Sequence, residues 1–186
     1  MIPHPTAPRL RALPPAEWTD DVKDILGRVP SGDHGPLNIF TTLAHHAGLL
    51  KRWLPFGTAL LMGELPPRDR ELLILRTAFN CGADYEWGQH AKIALLCGVT
   101  EAEVARVPAG AGASGWDPFD AALLRAADEL HGEACISDAT WKALAARYDA
   151  KQLVEVPMLV GQYHMVAFAL NSLGVQREPG VDGLPR

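Results

Sequence analysis

Between Glu71 and His90 the chain gathers side chains that hold, move or attack with charge: Glu71, Cys81, Tyr85, Glu86 and His90. Glu86 and His90 are four apart, so on a helix they share one face. A carboxylate that orients an imidazole is the minimal equipment for moving a proton near neutral pH. Glu71 falls in the first turn of its helix, where a carboxylate also serves the orphan amides and the dipole. Both roles stay open for it. If the segments on either side of Cys81-Gly82 form an antiparallel hairpin, Glu71 and His90 stand at similar distances from the hinge. Two carboxylates then converge on one imidazole. Phe79, Tyr85 and Trp87 make these surroundings partly apolar, the setting in which a histidine beside a carboxylate is tuned toward catalysis.

Cys81 lies at the hinge, close to the N-terminus of the following helix, where a thiolate is favoured. A small buried hydrophobe is the commoner use of a free cysteine. Neither Cys97 nor Cys135 stands beside it in sequence to resolve an oxidised sulfur. His45-His46, His131 and His164 offer metal-ligating groups. No HExxH or ExxH pair occurs, and Glu86–His90 is one residue too long for the di-iron bundle pattern. The expectation is no metal and no cofactor. His164, with Gln162, Tyr163 and Asn171, puts a polar stripe on the apolar last helix, to line either a pocket or a subunit interface. Gly110-x-Gly112-x-x-Gly115 matches a dinucleotide fingerprint, but a short capped helix precedes it instead of a strand, so it reads as a loop.

The elements that must position these groups are helical throughout. A short helix near Glu17–Leu26 is followed by a loop at Val29–Pro36. Leu37–His46 and Leu49–Leu61 carry apolar residues at helical spacing, with a break expected at Gly48 and a bend or interruption at Pro55. Pro66-Pro67 open a nearly all-apolar helix, and its partner spans about Tyr85–Cys97. Thr100 and Glu103 form a capping box. Asp117-Pro118 start a helix to about Glu133, and Ser137 caps one to Tyr148. Gln152–Leu173 is the last helix, with a possible kink at Pro157 and a stop at Gly174. Sustained two-residue alternation is missing, so the fold class is all-α. Residues 1–35 read as an N-terminal extension with one short helix, and 36–186 as the helical domain.

At 186 residues with 48% apolar and 21% charged side chains, the chain suits one domain with a real core. A net charge of −5 gives no electrostatic case for nucleic acid. Three scattered cysteines do not make a disulfide framework. The Pro-rich start lacks the apolar core of a secretory signal, and no uninterrupted apolar run reaches bilayer length. A reduced, cytoplasmic protein without a membrane partner is expected.

Glu71, the hinge, Tyr85-Glu86-Trp87 and His90 together resemble the carboxymuconolactone decarboxylase family, which includes the alkylhydroperoxidase-D-like proteins. The likeness extends to Pro36-Leu37-Asn38-Ile39-Phe40, to Leu65 through Leu72, and to Gly161-Gln162-Tyr163 with Ala169 through Gly174. It implies a helical fold built around a helical hairpin and a homo-oligomer (dimer, trimer or hexamer) with the active site near a subunit interface. In the peroxidase branch a glutamate and a histidine flank a CxxC pair. Glu71 and His90 match the first two, whereas the cysteine positions fall on Ala83 and Glu86. The relay is present and the dithiol is absent. In the decarboxylase branch a carboxylate and a histidine occupy the places of Glu86 and His90. The resemblance therefore implies a cofactor-independent acid–base enzyme, a decarboxylase-like lyase or isomerase, on a small carboxylated or lactone-type substrate. His90 donates or accepts the proton, Glu86 holds its tautomer, and Glu71 and Tyr85 shape or protonate a pocket walled by Trp87, Phe79 and His164. The alternatives are a thiol-dependent peroxidase using Cys81 and a non-catalytic oligomeric binding protein.

Overall fold

The computed structural model describes residues 4–185; the first three positions of the Pro-rich start lie outside them. The helices are α1 (Asp20–Leu26), α2 (Asn38–Leu43), α3 (Ala47–Leu61), α4 (Pro67–Asn80), α5 (Asp84–Leu96), α6 (Glu101–Arg106), α7 (Pro118–Glu133), α8 (Asp138–Ala145) and α9 (Ala150–Leu173). A two-residue antiparallel pairing, Ser31–Gly32 with Gly35–Pro36, is the only sheet among the described residues. It sits in the stretch expected to be a plain loop.

Local chemistry sets most boundaries. Thr19, Asp117 and Ser137 accept amide hydrogen bonds at the starts of α1, α7 and α8. Thr100–Glu103 and Asp149–Gln152 close capping boxes. Gly82 and Gly174 take positive φ angles of 59° and 66° at the hairpin turn and after α9, where a Cβ would be strained.

Two expectations fail. Gly48 does not break the chain: it lies inside α3, and the break falls at His46, with φ −124° and ψ 69°. The His46 ring instead caps the new helix, Nδ1 accepting from the Leu49 amide at 3.3 Å. Pro55 does not interrupt α3 either, and α9 runs through Pro157. Proline lacks one amide, and a long helix held by its neighbours absorbs that loss.

α4 is the centre of the fold, packed against α5, α7 and α9. Leu72, Leu73, Ile74, Leu75 and Ala78 of α4 are sealed from solvent together with Leu123, Leu124 and Ala127 of α7 and Val156, Leu159 and Ala167 of α9. By length and composition alone α9 could cross a membrane, although Glu155, Gln162 and His164 interrupt its apolar residues. Here one of its faces is part of the core. A second cluster joins α1 to the start of α3 through Val22, Ile25, Leu26, Ala44 and Leu50. The amides of Arg9 and Leu10 bond the Leu173 carbonyl, which lays the N-terminal segment against the end of α9.

The C-terminal segment straps α5. Arg177 pairs with Asp84 at 2.7 Å, and the Leu184 amide bonds the same carboxylate at 2.9 Å. A Cβ at Gly88 would collide with the Asp182 carbonyl and Val181. This explains a glycine in mid-helix, where it otherwise costs stability.

Candidate functional site

The α4–α5 hairpin brings Glu71 and His90 together. His90 Nδ1 donates to Glu71 Oε2 at 2.7 Å, and the other oxygen, Oε1, accepts from Arg70 Nε at 3.0 Å. Arg70 also bonds the Leu61 carbonyl at 2.6 Å and reaches toward Cys97 Sγ at 3.7 Å. Glu71 is fully buried and His90 is 9% exposed. Burial alone would raise the Glu71 carboxyl. The hydrogen bonds and charges of His90 and Arg70 outweigh it and hold the group below the ordinary carboxylate value. With Nδ1 committed to Glu71, the His90 Nε2 has no partner among the described residues.

Glu86 behaves differently from what its spacing suggested. It shares α5 with His90, but neither of its carboxylate oxygens has a hydrogen-bond partner among the described residues. The residue that orients the imidazole is Glu71, not Glu86. Register along a helix fixes the face of a residue, whereas packing decides where its terminal atoms go. Burial without a counter-charge pushes the Glu86 carboxyl well above its usual value. Two carboxyls with shifts in opposite directions thus flank one histidine sequence position, the pattern that assigns acid and base in many enzymes.

Tyr85 is also displaced from its expected role. Its hydroxyl donates to Glu178 Oε1 at 2.8 Å and accepts from the Ile39 amide at 3.3 Å, away from His90. Glu178 further accepts from the Asn38 amide at 2.7 Å and from Gln89, so Tyr85 fastens the C-terminal strap. The tyrosine beside the imidazole is Tyr163 of α9, its ring perpendicular to His90 with centroids 4.9 Å apart. Burial, then the charge of Glu71, raises its phenol far above the ordinary value. Tyr163 and Arg70 were the residues that sequence reasoning missed. Tyr163 stood in the polar stripe of α9, and Arg70 next to Glu71, but neither spacing points at His90.

Trp87 and Phe79 meet edge-on in the main core at 6.2 Å and do not wall a cavity around His90. The apolar cavity beside α2, α3 and α9, about 180 Å³, is lined by residues such as Ile39, Leu43, Trp53 and Val166. The indole N–H of Trp53 is buried without a partner among the described residues. Glu71, Glu86 and His90 do not line it.

Cys81 ends α4, and its carbonyl accepts from Asn171 at 2.9 Å. Burial pushes its thiol up to about 12, so it is not the thiolate that its place near a helix start suggested. Its neighbours are His131 of α7 and His164 of α9, with Sγ 3.9 Å from His131 Nδ1. Burial, and then His164, hold His131 below the ordinary histidine value. The sequence spacings pointed to no metal ligands, yet these three donor atoms all lie within 4.8 Å of one another.

The architecture is that of the alkylhydroperoxidase-D-like proteins. An uncharacterized peroxidase-related protein with an alkylhydroperoxidase AhpD core, from Ralstonia eutropha JMP134, superposes with TM-score 0.81 at 18% identity over 95% of each chain. A second peroxidase-related protein, from Silicibacter sp. TM1040, gives 0.79 at 12% identity over 95% of this chain and 96% of that one. The debrominase Bmp8 bound to 2,3,4-tribromopyrrole gives 0.67 at 13% identity over 94% of each chain. No curated protein matches the chain. Residues 47–129, from the start of α3 into α7, match the model of the carboxymuconolactone decarboxylase family.

Proposed function

We propose that the protein is an acid–base enzyme acting on a small carboxylated or lactone-type molecule, with His90 as the group that moves the proton. The family match and the likeness to a debrominase support the broader class, an enzyme of small molecules or a peroxidase-related protein. The observation that carries the narrower reading is the buried 2.7 Å hydrogen bond from His90 Nδ1 to Glu71. Glu71 is ionised, accepts the Nδ1 proton and leaves Nε2 as the atom that takes a proton from, or returns it to, a substrate carbon. The un-ionised Glu86 keeps an O–H available for a carboxylate or lactone oxygen. Loss of carbon dioxide, isomerisation and dehydration all use this pair.

Cys81 argues for the thiol peroxidase less well. A peroxidase needs a thiolate to attack and a second thiol to resolve. The Cys81 thiol is held protonated, and all three cysteines are free.

The reading includes a homo-oligomer in the cytoplasm. Val154, Met158, Met165 and Phe168 are exposed on α9 at spacings of four, seven and three residues, an apolar stripe suited to a second copy of the chain.

The test begins with native mass spectrometry of the purified protein to identify a retained ligand. Relatives of that ligand are then incubated in D₂O and followed by NMR for turnover and solvent deuterium at carbon. His90→Ala is expected to lower the rate by about 10²- to 10⁴-fold. A folded His90→Ala protein that turns over substrate as fast as wild type overturns the reading. Ligand binding without turnover in wild type supports the non-catalytic binding protein instead.

A further inference from the structure

We infer that Cys81, His131 and His164 form a binding site for one transition-metal ion of the zinc class, separate from the Glu71–His90 pair. The donor set is one thiol sulfur and two imidazole nitrogens, which suits zinc and its borderline neighbours and disfavours magnesium or calcium. The residues come from the end of α4, the last turn of α7 and the middle of α9, far apart in sequence and adjacent only in the fold.

The geometry is close to that of an occupied site. His131 Nδ1 stands 2.9 Å from His164 Nε2 and 3.9 Å from Cys81 Sγ. Zinc bonds of about 2.3 Å to sulfur and 2.0–2.1 Å to nitrogen, opened to the tetrahedral angle, set ligand atoms roughly 3.3–3.6 Å apart. The two observed separations bracket that range, so small side-chain rotations suffice.

The outer contacts aim the ligands. His164 Nδ1 donates to the Val160 carbonyl at 2.8 Å. This fixes its proton on Nδ1 and turns the Nε2 lone pair toward His131, the arrangement usual for a metal-bound histidine. His131 Nδ1 is then the donor in the contact with His164, and a metal ion takes the place of that shared proton. Asn171, two turns beyond His164, holds the Cys81 carbonyl. Asp128, one turn before His131, is bound by Arg76 at 2.5 Å and by Asn80 at 2.9 Å. These bonds tie α7 and α9 to the end of α4 around the three ligands.

His131 is exposed, which gives an ion a way in. Three protein ligands leave a fourth tetrahedral position for water or another small donor, as in zinc sites that act on substrates.

The experiment uses the untagged full chain, stripped with a chelator and titrated with Co²⁺, then with Zn²⁺ against a chromophoric competitor. One Co²⁺ per chain is expected, with the d–d bands of a tetrahedral ion and a thiolate-to-cobalt charge-transfer band. Cys81→Ser abolishes the charge-transfer band. Cys81→Ser and His131→Ala each weaken Zn²⁺ binding by at least about 100-fold, whereas His46→Ala leaves it unchanged. His131 lies at the surface, so its variant keeps the fold, checked by far-UV circular dichroism. Binding to wild type no tighter than to Cys81→Ser and His131→Ala, or a cobalt spectrum without the sulfur band, overturns the site. Neither result bears on the role of His90.

Discussion

At the scale of single residues, the two carboxyls of the hairpin have opposite fates because of their partners. Glu71 finds an imidazole and a guanidinium, and Glu86 finds neither. The consequence is a stability test that does not need a substrate. The folded Glu86 carboxyl keeps its proton at pH values where the unfolded chain has released it. Below the unfolded value, near pH 4, both states are protonated and no penalty exists. As the pH rises above it the penalty grows, until the folded carboxyl itself ionises. Glu86→Gln removes that penalty. Urea unfolding should show the variant about equal to wild type near pH 4. Near pH 7 it should be more stable, by about 1 kcal/mol or more once the cost of seating an unpaired amide is included. A variant that is less stable at pH 7, or a gap independent of pH, would falsify the ionisation state assigned to Glu86. The reach of Glu71 to His90 was legible from equal distances to the hinge. The direction of the Glu86 carboxyl was not, because four-residue spacing says nothing of rotamers.

At the scale of elements, the readable features were the ones encoded locally. The Thr100–Glu103 box, Asp117-Pro118 and the glycine after α9 each act within a few residues, and each boundary falls where its cap sits. Gly48 and Pro55 mislead for the complementary reason: α3 is held by packing against α1 and α9, which overrides weak local preferences. The role of Glu178 and the meeting of His131 with Cys81 and His164 were invisible, since the partners arrive from distant segments. Gly88 records one such long-range contact. Gly88→Ala places a methyl where Asp182 and Val181 lie, so the strap must lift from α5. The expected result is a loss of about 1–3 kcal/mol, a fall in Tm of about 2–9 °C, and faster hydrogen exchange at residues 175–185. Unchanged exchange there would mean that the strap does not depend on this notch.

At the scale of the whole molecule, α9 serves two surfaces. One face closes the core over α4, and the other presents Val154, Met158, Met165 and Phe168. Replacing Met158 and Phe168 with glutamate places charge on that outer face without touching the core. In light scattering coupled to size exclusion, wild type is expected as a multiple of 20.1 kDa and the double variant as the single chain. A wild type that elutes as a single chain at micromolar concentration ends the oligomer proposal.

The clamp on Glu71 also bears on how the proposed reaction would proceed in time. Each carboxylate oxygen is held by a different neighbour, and the arginine that holds one of them is bonded in turn to the last residue of α3. The carboxylate has no free rotation left to lose. The entropy of aligning donor and acceptor is lost once, when the chain folds, and a bound substrate meets a pair that needs no search before the proton moves.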